Sequence, residues 1–100
     1  MTDEVYLAVV RRRIKLARLA RSLRQEDVAE RLGISLRAYQ RYEGEDTSRE
    51  FNPYVLTMRR IARTLGEDPG AILGEPTQSE IGELEGGAKT PRAPKRAVDK

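Results

Sequence analysis

The chain has 100 residues, 38% hydrophobic and 35% charged, with a net charge of +3; that suits one small, soluble helical domain with a tail. It has no cysteine and no histidine, which excludes disulfides, thiolate chemistry and the usual zinc or copper ligands, and removes the commonest general acid–base group. The longest apolar run, VYLAVV at residues 5–10, is far too short to span a bilayer, and acidic Asp3 and Glu4 precede it where a signal peptide carries positive charge, so a cytoplasmic protein is expected.

From Thr2 to Leu32 there is no proline or glycine. The spacing predicts a first helix starting near Asp3, which suits a helix N-terminus both as a cap and by charge. Ile14, Ala17 and Arg21 share one face of it, and Leu16, Leu19 and Leu23 another. Periodicity alone allows one long helix through Leu32. Ser22 and Gln25 have the S-x-x-Q spacing of a capping box, which favours a break near Ser22 to Arg24. Between Arg11 and Arg24 stand seven basic residues and no acidic one. That stripe is either a nucleic-acid contact or a solvated, arginine-rich helix face. For Arg11, Arg12 and Arg13 the solvated face is preferred, because three consecutive residues point around most of a helical turn.

A short second helix is predicted over Gln25 to Leu32, with Val28, Ala29 and Leu32 inward and Glu26 and Asp27 in the first turn, where the helix dipole favours them. Gly33 can take the positive φ that ends it. Ile34 then turns back toward the core, and Ser35 is a good N-cap for a third helix, Leu36 to about Glu43. Tyr39 and Tyr42 face inward and read as ordinary core, as does Met58. Glu43, Glu45 and Asp46 lack calcium-loop spacing and read as a solvated acidic turn. A polar loop follows. Asn52-Pro53 signals the start of a fourth helix carrying Val55, Met58, Ile61, Ala62 and Leu65, which Gly66 stops. Asp68-Pro69 starts a last short helix with Ile72 and Leu73. Residues 75–100 are rich in Gly, Pro and charge and read as a disordered tail, too poor in apolar surface to offset its ordering entropy. Its basic end, KTPRAPKR, either adds loose attraction to phosphates or only solubilises the chain.

Two short helices joined by a glycine turn, the second one N-capped, make a helix-turn-helix. Ala29 is small at the crossing, and Val28, Ile34 and Tyr39 can fill the angle. The outer face of the second helix is then held convex, a shape that fits the major groove of B-DNA. Arg37 and Arg41 are four apart and share that outer face.

On these residues the chain resembles the lambda-repressor and Cro type of helix-turn-helix DNA-binding proteins, from about Ile14 to Leu73. The stretch from Ile14 to Ser35, with Gln25, Ala29, Gly33 and Ile34 in register, carries the likeness, together with Glu43 and the later P-x-V-x-x-M-x-x-I-A-x-x-L-G. The resemblance implies an all-α, compact five-helix domain over residues 1–74, followed by the tail. It implies base contacts by Ser35, Leu36, Arg37 and Arg41. It implies phosphate contacts by Arg24, Gln25, Gln40, Arg49, Asn52 and Tyr54. Arg18 and Glu43 stand where the family has a structural ion pair. For Arg37 and Arg41 the alternative is a pair of solvated arginines near Glu45.

Three features depart from the family. Arg24 replaces the usual Ser or Thr cap, so the cap is lost or moves to Ser22, or the charge contacts phosphate. Ser22 stands where glycine is common. The loop from Glu43 to Pro53 is longer than usual and carries Glu45, Asp46 and Glu50, which would face DNA unfavourably. The first ten residues extend past the family's start and either lengthen the first helix onto the core or form a dimer contact.

The functional expectation is a nucleoid-associated transcriptional regulator of bacterial or phage type, a Cro-like repressor or an activator. It would bind double-stranded DNA as a homodimer, with no cofactor and no membrane. The alternative is an antitoxin or adaptor that keeps the fold and binds a protein partner through the tail or the N-terminal extension. An enzyme is excluded by the missing His and Cys and by the absence of a GxxxxGK[ST] loop.

Overall fold

The computed structural model describes residues 1–45 and 53–87, with side chains in the second stretch as far as residue 84. Among them the chain is all helical: α1 (Asp3–Ala20), α2 (Gln25–Leu32), α3 (Leu36–Tyr42), α4 (Val55–Thr64), α5 (Pro69–Leu73) and α6 (Gln78–Gly87). The expected all-α helix-turn-helix fold is present: α1 to α5 are the five helices expected within residues 1–74, and a sixth, α6, follows them. The described residues divide into two compact units, Val10–Gly74 and a second made of Met1–Val9 with the stretch from Glu75 to Gly87.

In the Val10–Gly74 unit, α2 packs on α3 and on α4, and α4 packs on α5. Val10, Ile14, Val28, Tyr39, Ile61, Ala62 and Leu65 are sealed from solvent. Each such Val, Ile or Leu side chain contributes about 1.5–3 kcal/mol by burial. Ala29 is 3% exposed, and at that position a larger side chain would overpack.

One motif ends four helices. After α2, Gly33 (φ 72°) lets its own N–H reach Glu30 O at 3.1 Å and the Ile34 N–H reach Ala29 O at 3.1 Å. The same paired bonds recur at Gly44, Gly66 and Ser22, all at positive φ. They satisfy carbonyls that a helix end would otherwise leave without partners. Ser22 (φ 56°) is the one residue of the four with a Cβ, and it bears the strain that glycine avoids. This explains the break after Ala20 and corrects the expected Ser22 capping box. The N-cap of α2 is Arg24, whose backbone N–H donates to Asp27 Oδ2 at 2.9 Å.

α3 starts as expected, with the Ala38 N–H donating to Ser35 Oγ at 3.0 Å. α5 starts as expected too, with the Gly70 N–H on Asp68 Oδ2 at 2.9 Å and Pro69 in the first turn. α4 differs. Its N-cap is Tyr54, not Asn52, and Val55, expected inside, is 72% exposed. The buried stripe of α4 begins only at Met58, so no packing gain favours extending the helix back to Pro53. Asn52 itself lies outside the described residues.

In the other unit, the Val5 N–H donates to Thr2 Oγ1 at 3.2 Å, so Thr2 rather than Asp3 caps α1. α6 lies inside the stretch read as tail. Its signal is a capping box: the Glu80 N–H donates to Thr77 Oγ1 at 3.1 Å, and the Thr77 N–H donates to Glu80 Oε1 at 3.0 Å. Two orphan donors are satisfied at once, while Ile81 and Leu84 are partly buried. Composition pointed to a tail and missed this local chemistry. The rest of the expected tail, residues 88–100, lies outside the described residues.

Candidate nucleic-acid interface

The inner end of α3 sits in a buried polar network. Arg18 of α1 meets Glu43 with two parallel bonds, Nε to Oε2 at 2.6 Å and Nη2 to Oε1 at 3.1 Å. Both side chains are shielded, at 9% and 0% exposure. The Tyr39 hydroxyl donates to Glu43 Oε2 at 2.5 Å, and Arg18 Nη1 donates to Leu23 O at 2.9 Å. Removing two charges from water is costly, and only such dense pairing offsets it.

The protonation states follow. Burial opposes the charge on Glu43, but bonds from Arg18, Tyr39 and Gln25 outweigh it and hold the carboxyl below its ordinary range. The bond to Glu43 raises the Arg18 guanidinium against a desolvation cost. Burial first, and then donation to the Glu43 carboxylate, push the Tyr39 hydroxyl well above its ordinary 10.0. α1, the start of α2 and the end of α3 are thereby fastened together.

Gln25, the first residue of α2, belongs to this network. Its Nε2 donates to Glu43 Oε1 at 3.0 Å and to Glu45 Oε2 at 2.6 Å. Its Oε1 accepts from Gln40 Nε2 at 3.0 Å. Gln25 and Gln40, two of the expected phosphate contacts, therefore stand side by side. Arg24 is 74% exposed and pairs with Asp27, Nη2 to Oδ1 at 3.1 Å. That bond raises the Arg24 pKa and lowers that of Asp27. Tyr54 is 75% exposed at the start of α4. Arg49 and Asn52 lie outside the described residues.

The opposite side of α3 carries the expected base-contacting set. Ser35, Leu36 and Arg37 are exposed and Arg41 is half-buried, while Tyr39 and Tyr42 of the same helix are buried. The helix is therefore held from one side and open on the other.

In the basic stripe, Arg13, Arg18 and Arg21 hold partners within the fold, while Lys15 and Arg24 are exposed. Arg13 Nη1 donates to Ile72 O and to Gly74 O, both at 2.7 Å, closing the C-terminus of α5. Arg21 Nη2 donates to Gly66 O at 3.2 Å. Arg11 lies against Gly44, and burial lowers its pKa. Arg11, Arg12 and Arg13 are all half-buried, which corrects the solvated face expected for them. Carbonyls at helix ends carry partial negative charge, and an arginine fork answers two of them at once. Arg60 answers one carbonyl at the end of α2, with Nη2 on Leu32 O at 2.8 Å.

Two partners went unread in the sequence. Tyr39 reads as plain core from spacing, although its position four residues before Glu43 allows the hydroxyl to reach the carboxylate along one helix face. Glu45 carries no sequence signal for its bond to Gln25, which depends on how α2 and α3 cross. Among the described residues no cluster of three or more acidic side chains is placed to hold a metal ion, and no helix is long and apolar enough to cross a membrane.

Comparison with known proteins gives a family model, described as a helix-turn-helix domain, that matches residues 12–76. No curated protein and no solved structure matches the chain.

Proposed function

Because the chain belongs to the helix-turn-helix domain family, we propose that it is a sequence-specific regulator of transcription, of bacterial or phage type, that binds double-stranded DNA. α3 enters the major groove and α2 crosses the phosphate backbone. Arg37 and Arg41 read guanine through O6 and N7, Leu36 meets a thymine methyl, and Ser35 approaches the first base pair. Gln25, Gln40 and Arg24 fix the register on phosphates. Arg49, Asn52 and Tyr54 complete the backbone contacts. One such helix covers a single half-site, so two copies act together on half-sites about 34 Å apart. Occupying the operator blocks polymerase or recruits it.

The observation that carries this reading is the asymmetry of α3. Arg18 and Glu43 lock its inner end, while its exposed side presents Arg37. Rigidity before binding lowers the cost of placing side chains against base edges.

The test is a fluorescence-anisotropy titration of the full chain against random fragments of its own genome, at two salt concentrations. Arg37→Ala and Arg41→Ala run beside the wild type. A few fragments should bind tightly, and each substitution should cost about 1–3 kcal/mol on those fragments and much less on random DNA. An equal loss on all DNA would remove base reading from these arginines. Weak, uniform binding that salt abolishes in every variant would instead assign the fold to a protein partner.

A further inference from the structure

The side-chain amide of Gln25 is fully engaged within the protein. Both N–H groups are on carboxylates, Glu43 Oε1 at 3.0 Å and Glu45 Oε2 at 2.6 Å, and the carbonyl oxygen accepts from Gln40. A phosphate can take a hydrogen bond from this amide only by displacing one carboxylate. The two are not equivalent. Glu43 is buried at 0% side-chain exposure and bonded to Arg18 and Tyr39. Moving it would strand a shielded guanidinium. Glu45 is exposed just past α3. It stands at the rim of an open groove of about 610 Å³ that also meets Lys15, Ser22, Arg24 and Gln25.

We infer that Glu45 sets the DNA affinity of this protein: its carboxylate occupies the place of a backbone phosphate on Gln25, and DNA binds by exchanging that carboxylate for a phosphate oxygen. The inference rests on the DNA-binding reading above. Both groups are anionic oxygen acceptors for the same N–H donor, so the exchange replaces one charge-assisted bond with another. The released carboxylate then lies beside a phosphate of like charge. The Gln25 contact therefore orients the backbone while adding little net attraction, and base contacts carry a larger share of binding. On the same groove Lys15 and Arg24, the latter paired with Asp27, favour the incoming phosphate, and Glu26 opposes it.

The test uses the full chain with Glu45→Gln, Gln25→Ala and the double variant. Each is titrated against the genomic fragment the wild type prefers and against a random-sequence duplex. Thermal unfolding checks that each variant is folded. Glu45→Gln should bind both duplexes about three- to tenfold more tightly at low salt, and most of that gain should vanish in the Gln25→Ala background. If the wild type binds DNA and Glu45→Gln binds equally well, the inference fails and the DNA-binding reading stands. If the whole gain survives Gln25→Ala, Glu45 acts through general charge, and exchange at Gln25 is overturned. If no folded variant binds either duplex, both readings fall together.

Discussion

On its inner side, α3 buries Tyr39 and Tyr42 and ends at Glu43, inside a network that reaches α1 and α2. On its outer side, the same seven-residue helix leaves Ser35, Leu36 and Arg37 exposed. One face is organised by the rest of the protein and the other presents side chains outward. A helix this short is marginal by itself, so its shape and direction come from the buried face. The outer face is then available to be specified by a partner. A similar contrast separates the arginines. Arg13, Arg18 and Arg21 brace helix ends and the buried acid, while Arg37 is exposed.

The largest test of this contrast removes the buried acid. Glu43→Ala leaves Arg18 shielded from water without its carboxylate and should cost about 3–5 kcal/mol in urea unfolding. Arg18→Met with Glu43→Leu should recover most of that loss, because no charge then remains buried. A cost below about 1 kcal/mol for Glu43→Ala would mean that packing alone holds α3.

The second test is pH. The Glu43 pKa is depressed on folding, so its contribution is present above the ordinary value of 4.5 and is lost as pH falls below it. The Tyr39 pKa is raised, so its contribution is complete below 10.0 and is lost as pH rises above it. The denaturation midpoint should therefore fall at both ends. Glu43→Gln should flatten the acid limb, and Tyr39→Phe the alkaline limb. Wild-type limbs unchanged by either substitution would place the titration elsewhere.

A smaller effect lies in the turn that leads into this network. Ser22→Gly relieves the positive φ of Ser22 and should raise the stability by about 0.5–1 kcal/mol. Unchanged or lower stability would show that the serine side chain offsets its own strain. Smallest of all, Arg37→Ala should change the unfolding free energy in urea by less than about 0.5 kcal/mol while altering DNA affinity. A larger shift would mean that the outer face also supports the fold.

Much of this was legible in the chain because it is local. The Ser35 and Asp68 caps, the turn at Gly33 and the bounds of α2 depend on residues within a few positions of one another. At the start of α6 a tail-like composition competes with the local capping signal of Thr77 and Glu80, and the cap prevails. The Arg18–Glu43 pair came from family resemblance, since residues 25 apart share no periodic pattern. The exposure of Val55 and Leu56 was not legible either, because helical spacing identifies a face without saying which turns of it find a neighbour.

Within the chain itself, α2, the turn at Gly33 and the Ser35 and Asp68 caps were already written. Those follow from backbone geometry and contacts a few residues apart. The tertiary structure alone decided which charges are structural. It set Arg13 on carbonyls 59 and 61 residues away. It brought Gln25 to Glu45 across 20 residues, and it buried Arg18 while leaving Arg24 in solvent. The cause is desolvation: an arginine is the same group in every sequence, and only its three-dimensional neighbours determine whether it faces water or must be answered by an acid or a carbonyl.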